Sequence, residues 1–348
     1  MRDLVVAGGG PVGLAAALHA ARAGLDVSIR EPRQGPIDKA CGEGLMPGAL
    51  AELDLLGIDP AGRRLDGIRY LDGSGAGAQA AFRFGPGRGV RRTTLHSALV
   101  EPVMAAGVEV DDRPVRSVRD LGDHLLVDGE ATRYLIAADG LHSPVRRLLG
   151  LDAPTRHRRR FGLRCHVAQA PWTPYVEVHW GPSAEAYVTP VADDLIGVAV
   201  LTDVGTGFDN ALEQFPSLRE QLTGERSKVM GAGPLRQRAR RRSAGRVLLV
   251  GDAAGYVDAL TGEGIAIGLA QARAAVGCVL ADAPARYEDQ ARGIGRRHEL
   301  LTHALLLATA IRPVRKQLVP AAAGAPWLFS AAVNQLARPI VVPSGSRG

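Results

Sequence analysis

The chain has 348 residues, 46% of them hydrophobic and only 4% aromatic, with a formal net charge of +6. That length supports a substantial core in one large domain or two interleaved ones, and no apolar run is long enough to cross a membrane. Cys41, Cys165 and Cys278 are too scattered for a disulfide framework or a zinc site, so no bound metal is expected.

The basic excess is local. Nine arginines fall in two runs, Arg156, Arg158, Arg159 and Arg160, then Arg236, Arg238, Arg240, Arg241 and Arg242. A solvated face is the plain reading; attraction for an anionic substrate, a nicotinamide phosphate or a membrane surface is the alternative, and no nucleic-acid partner is expected. The amino terminus runs into the first strand without a signal peptide, so a cytoplasmic protein is expected.

Residues 3–7 (DLVVA) read as a buried strand, followed by Gly8, Gly9, Gly10, Pro11, Val12 and Gly13 and an Ala/Leu-rich helix to about Ala23. The spacing fits a dinucleotide loop: Gly8 makes the tight turn, Gly10 lets backbone approach a pyrophosphate, and Gly13 lets the helix sit close to the strand. A second strand, residues 26–29, leads to Glu31, an acid where a ribose presents its hydroxyls, which favours FAD or NAD over a 2′-phosphorylated nucleotide. Residues 66–84 and 160–204 carry strand-like alternation, as in residues 175–180 (YVEVHW), and the turn at Ala192, Asp193 and Asp194 fits a hairpin. A mostly antiparallel sheet is expected there. Between these stretches, residues 134–138 form an apolar strand ending at Asp139 and Gly140, with Pro144 placed to start a helix.

Residues 247–250 form a third apolar run, ending at Gly251 and Asp252. Here the Asp252 carboxylate is available to accept hydrogen bonds from sugar or ribitol hydroxyls. Gly262 and Gly264, followed by Ile265, open a helix whose amino-terminal amides favour negative charge, such as that on a reduced flavin ring. The last segment, residues 300–342, is apolar but interrupted by Arg312, Arg315 and Lys316. It reads as a cap on the core, with a lipophilic tunnel or a membrane-surface helix as the alternative.

In this order the three motifs resemble the flavoprotein hydroxylase superfamily typified by p-hydroxybenzoate hydroxylase, over most of the chain. The resemblance implies that Gly8, Gly10, Pro11, Val12, Gly13 and Glu31 hold the ADP half of FAD, that Gly251 and Asp252 contact the ribitol, and that Asp139 and Gly140 lie near the pyrophosphates. Arg92, which starts an Arg-x-x-Leu-x-x-x-Leu stretch with Leu95 and Leu99, is implied to lie beside the cofactor. Departures narrow the branch. Gly255 stands where hydroxylases usually have histidine, and Ala259, Leu260 and Thr261 stand where they have proline before the glycines. That wording, and residues 38–47 (DKACGEGLMP), are closer to the geranylgeranyl reductase-like branch, with Glu43 replacing a glycine of its Cys-Gly-Gly loop. The lysine and Trp-x-Trp-x-Ile-Pro segment of the halogenases have no match, since residues 186–191 lack tryptophan.

The implied fold is α/β. A Rossmann-like FAD-binding domain (residues 1–65, 90–150 and 245–300) is interleaved with a smaller, mostly antiparallel substrate domain (66–89 and 151–244) and followed by a helical carboxyl end (301–348). The implied activity is monooxygenation of an aromatic or polyketide-like molecule through a flavin C4a-hydroperoxide, with NADPH or NADH as transient donor or a separate flavin reductase supplying electrons. The alternative is reduction of an isoprenoid or other lipophilic double bond, and a third reading is a flavin-fold binding protein without catalysis. Cys41, Glu43 and Glu263 are the acid, base or thiol candidates, and His179 and Tyr187 the candidate pocket residues.

Overall fold

In the structure, a computed structural model describing residues 1–73, 77–155 and 159–342, strand Arg2–Ala7 lies at the centre of the parallel part of a mixed sheet. Its neighbours run in the order Val247–Leu249, Glu130–Ala137, Arg2–Ala7, Val27–Arg30 and Glu109–Asp111. Strands such as Val27–Arg30, buried along their whole length, need apolar cover on both faces, and parallel sheets provide that. Ala7 pairs with both Ala137 and Arg30, and Ala137 pairs with Leu249. Four strands therefore finish at one level, and the loops that follow them emerge along one edge, where open α/β sheets bind ligands.

Helix Pro11–Arg22 starts on a proline, whose missing N–H is no loss at that position. It packs on helix Gly264–Leu280, which is apolar on nearly all sides and accordingly buried. The contact is close because Gly268 lacks a side chain: a Cβ there would come within 2.5 Å of Val12.

The second sheet has seven strands, in the order Met230–Ala232, Arg160–Ala168, Leu195–Asp203, Glu185–Ala192, Tyr175–Trp180, Gly67–Leu71 and Gly77–Ala81. Every pair is antiparallel except Tyr175–Trp180 with Gly67–Leu71. The hairpin at Asp193 and Asp194 forms as the sequence indicates. One face of this sheet supplies the wall of a cavity through Ile68, Val176, Val178, Tyr187 and Leu201. The other face is also covered, by Phe208, Leu212 and Leu218 of two short helices, Phe208–Leu212 and Pro216–Gln221.

Three helices end the chain: Tyr287–Ala310, Arg312–Gly324 and Pro326–Ala337. The last lays Phe329 and Val333 on Ala78 and Ala80 of the edge strand. No helix among the described residues is long and apolar enough to cross a membrane.

The two arginine runs do not form one solvated face. Arg156 and Arg158 lie outside the described residues. Arg160 is largely buried against Glu185 and, at 3.2 Å, Asp258. Arg242 pairs with Glu299 at 2.5 Å, and Arg236 donates to His303 at 2.9 Å. Arg159, Arg238, Arg240 and Arg241 remain exposed. Carboxylates from distant segments absorb much of the local charge, a pairing invisible in a linear run.

Candidate flavin site

The common level of the four strands brings the motifs together. Gly8 N–H donates to Arg30 O at 2.8 Å, Ala138 N–H to Ala7 O at 2.7 Å, and Val250 N–H to Ala137 O at 2.9 Å. Gly8 has φ +103°, and a Cβ on it would lie 2.5 Å from Ala138 O; a Cβ on Gly13 would lie 1.9 Å from Gly8 O. The turn is thus closed to any side chain at these two places. Gly10, by contrast, faces open space, with Arg92 Nη2 the nearest group at 3.6 Å from its would-be Cβ.

Glu31 accepts from Gly9 N–H at 2.8 Å and from Arg33 through its backbone and guanidinium. Burial raises its carboxyl, but the Arg33 and Gly9 hydrogen bonds outweigh that and leave it below the ordinary glutamate value. It stands charged at the end of its strand, beside the glycine loop.

Arg92 begins helix Arg92–Ala105, and its backbone N–H donates to Glu43 Oε1 at 2.8 Å. Its guanidinium is buried, which pulls it below the ordinary arginine value, and its Nε has no hydrogen-bond partner. A buried arginine with an unused donor, facing the open side of Gly10, suits a phosphate. Asp252 lies on the same cavity and is paired with Lys39 at 2.7 Å. Burial pushes its carboxyl up, yet Lys39, Arg92 and Arg146 together hold it below the ordinary aspartate value. Gly262, at φ +71°, and Gly264, the first residue of its helix, line the cavity with Ile265. These groups fit FAD: Gly10, Gly13 and Arg92 would hold its pyrophosphate, Glu31 its adenosine ribose, and Asp252 its ribitol. The flavin ring would then face Cys41, Gly42, Glu43, Gly262 and Gly264.

Asp139 lies beside the glycine turn, its Cα 2.9 Å from the would-be Cβ of Gly8, but it uses its carboxylate inside the protein rather than on the cavity wall. Its Oδ2 accepts from Val145 N–H at 2.9 Å, capping the short helix Pro144–Leu148, while Oδ1 is buried without a partner. Burial raises its carboxyl above the ordinary aspartate value. Gly140 lines the cavity.

Two further residues correct the sequence reading. His179 faces away from the cavity: Val176 and Val178 line it, so the alternate residues Glu177 and His179 point to the far side. There His179 lies 3.3 Å from Glu177 and packs edge-on against Phe215. Glu263 is buried behind the glycines that line the cavity and is not itself part of the wall. Burial lifts its carboxyl to about 8, and Oε1 has no partner. Tyr187 does reach the cavity, where its hydroxyl donates to Leu260 O at 3.0 Å.

Glu43 lines the cavity but turns its carboxylate into the protein. Its φ of +57° is unusual for a residue with a side chain. Oε2 lies 2.7 Å from His166 Nε2, and Arg164 Nη1 lies 3.2 Å from the other ring nitrogen. Arginine can only donate, so His166 Nδ1 accepts and Nε2 carries the proton toward Glu43. Arg164 also pairs with Asp38, closing a buried chain from the 38–44 loop to the second sheet. Cys41 is half-buried on the cavity wall, and its sulfur accepts from Glu43 N–H at 3.4 Å.

Sequence reasoning missed His166, Arg164 and Arg146, and gave Lys39 of the 38–47 loop no role. Arg146 is the largest fully buried side chain and ties the motifs together, donating to Ala253 O at 3.0 Å and Leu141 O at 3.0 Å. Nothing in its local sequence separates it from the exposed Arg147 beside it.

Residues 1–183 match the model of the FAD binding domain family. The chain belongs to that flavoprotein family. Its relatives place it on the geranylgeranyl reductase-like branch of the p-hydroxybenzoate hydroxylase superfamily. The menaquinone reductase of Mycolicibacterium smegmatis is 33% identical over 314 residues, covering 78% of this chain and 75% of that one. Digeranylgeranylglycerophospholipid reductase 1 of Methanothermobacter thermautotrophicus is 28% identical over 336 residues, covering 86% and 81%. A halogenase solved in complex with FAD superposes with a TM-score of 0.74 over 96% of this chain and 86% of its own, at 14% identity, a likeness of fold. The protein is an FAD-dependent oxidoreductase.

Proposed function

We propose that the protein is a flavin-dependent reductase of carbon–carbon double bonds in an isoprenoid or similarly lipophilic substrate. The observation that carries this reading is the character of the cavity beside the Cys41–Gly44 loop. It is walled by Leu45, Met46, Leu163, Val176, Val178 and Leu201, and closed by Val333 and Leu336 of the last helix. Such a wall binds apolar chains by removing them from water, about 25 cal/mol for each Å² covered. The reductase names of the relatives support the same side, so the alternative weighed from the sequence is better supported than hydroxylation.

Bound FAD, once reduced, supplies a hydride. The chain's own residues exclude water, hold the substrate, and provide the proton that completes saturation. Cys41 Sγ and the hydroxyls of Tyr70, Tyr187, Tyr256, Thr189 and Thr261 are among the protic groups on the wall. Burial raises the Tyr256 phenol well above its ordinary value, so it keeps its proton and is able to donate a hydrogen bond. A nicotinamide donor that binds transiently, or a separate reductase, delivers the electrons.

The test is turnover of the reduced, FAD-loaded protein without oxygen, against prenylated quinones and other polyprenyl lipids. Product gaining two hydrogens supports the reading; product formed only with oxygen, and gaining an oxygen atom, replaces it with hydroxylation.

A further inference from the structure

The three carboxyl-terminal helices carry an outer surface that the flavin site does not use. Along Tyr287–Ala310 and just beyond it, Leu300, Ala304, Leu307 and Ile311 recur at helical spacing and are all exposed, Leu307 to 69%. Val314 is exposed on the next helix, and Trp327 and Leu328 stand at the start of the last one, Trp327 being 72% exposed. Consecutive helices pack on one another. Large apolar side chains left exposed on each of three helices that pack together in sequence indicate a partner.

The charge on this face points to what the partner is. From Leu300 to the end of the chain the sequence contains no aspartate or glutamate. Arg315 turns inward, donating to Gly181 O and Ala184 O at 2.7 Å. Arg312 and Lys316 stay exposed, and among the described residues neither meets a carboxylate. A cationic surface of this kind repels a second copy of itself in a two-fold dimer, where like meets like. It attracts an anionic bilayer, and exposed tryptophan and leucine beside arginine and lysine are the composition of interfacial helices.

We propose that this face seats the protein on an anionic phospholipid surface. The last helix then has two roles: Trp327 and Leu328 enter the headgroup region, while Val333 and Leu336 wall the cavity. A lipophilic substrate passes from bilayer to cavity without crossing water. The docking itself does not rest on which reaction the flavin performs.

The experiment is sedimentation of the FAD-loaded protein with vesicles of equal parts phosphatidylglycerol and phosphatidylcholine, and with phosphatidylcholine alone. Protein should pellet with the anionic vesicles and much less with the neutral ones, and tryptophan emission should shift to the blue through Trp327, since Trp180 is buried and Trp172 partly so. Arg312→Glu with Lys316→Glu should lower partitioning by roughly tenfold or more, and Trp327→Ser with Leu328→Ser should abolish the blue shift, both at unchanged flavin content. Wild-type protein that stays in the supernatant overturns the proposal, as does charge-reversed protein that pellets like wild type. A dimer in sedimentation velocity that Trp327→Ser with Leu328→Ser dissolves would assign the face to a second copy instead.

Discussion

His166 Nε2 lies 2.7 Å from Glu43 Oε2, in a pair where the histidine ring and the carboxylate are both buried. This contact joins the loop over the cavity to the second sheet, and Glu43 Oε1 extends it to the start of the Arg92 helix. Glu43, a glycine replacement in the loop pattern, therefore fastens the loop. Glu43→Ala would leave His166, Arg164 and the Arg92 N–H short of a partner in a buried place. The expected cost is about 3 kcal/mol in urea unfolding of the FAD-loaded protein. Glu43→Gln keeps an acceptor and should lose less. An alanine variant as stable as wild type would show that the pair carries no structural weight.

Arg92 separates affinity for cofactor from stability. Its guanidinium is buried with Nε unsatisfied, a desolvation cost that the nearby Asp252 and Asp38 offset in part and a bound anion offsets further. Arg92→Met should leave the cofactor-free protein as stable as before, or more so, while weakening FAD binding at least tenfold, about 1.4 kcal/mol. Fluorescence titration with FAD, beside thermal unfolding of the cofactor-free protein, reads both. An unchanged dissociation constant would remove Arg92 from the site.

Glycine-to-alanine substitutions should act with opposite signs at two helical positions. At Gly13 the new Cβ meets Gly8 O at 1.9 Å, so the loop must open, costing about 3 kcal/mol, with loss of bound flavin. At Gly277, inside helix Gly264–Leu280, nothing lies within 4 Å, and alanine should stabilise by about 0.5–1 kcal/mol. Chemical denaturation of the two variants checks the pair.

Glu263 should make stability depend on pH. Its carboxyl titrates near 8 in the folded protein against 4.5 for the free group, because burial disfavours the charged form. Between those values the folded state binds more protons than the unfolded, so this group's contribution is most favourable below about 4.5 and declines as pH rises toward 8. The slope is at most about 1.4 kcal/mol per pH unit. Glu263→Gln should flatten the decline and unfold at a higher temperature than wild type at pH 8. Identical melting curves across that range would mean that Glu263 meets solvent or a partner.

What was legible in the sequence was local. The Gly8–Gly13 loop, Glu31 at its strand end and the Gly251–Asp252 turn each depend on neighbours a few residues away, and each announces itself by glycine spacing or by apolar runs. Arg146 was not legible, since its partner Ala253 lies more than a hundred residues along the chain. His179 was misread because alternation gives two faces without saying which looks inward; here both faces are buried, so polarity did not mark the outside. The arginine runs misled for a related reason, as Glu185, Asp258 and Glu299 come from segments far from them. The reaction class was legible only in part: Gly255 and the 38–47 loop pointed toward the reductase-like branch, while the flavin motifs themselves serve both readings.

The most direct measurement is the mass of the product formed by reduced, FAD-loaded protein from a polyprenyl substrate in the strict absence of oxygen. Saturation of one double bond, seen as a gain of two hydrogens and abolished when flavin is removed, is the predicted result. A product that forms only when oxygen is admitted, heavier by one oxygen atom, would contradict the account.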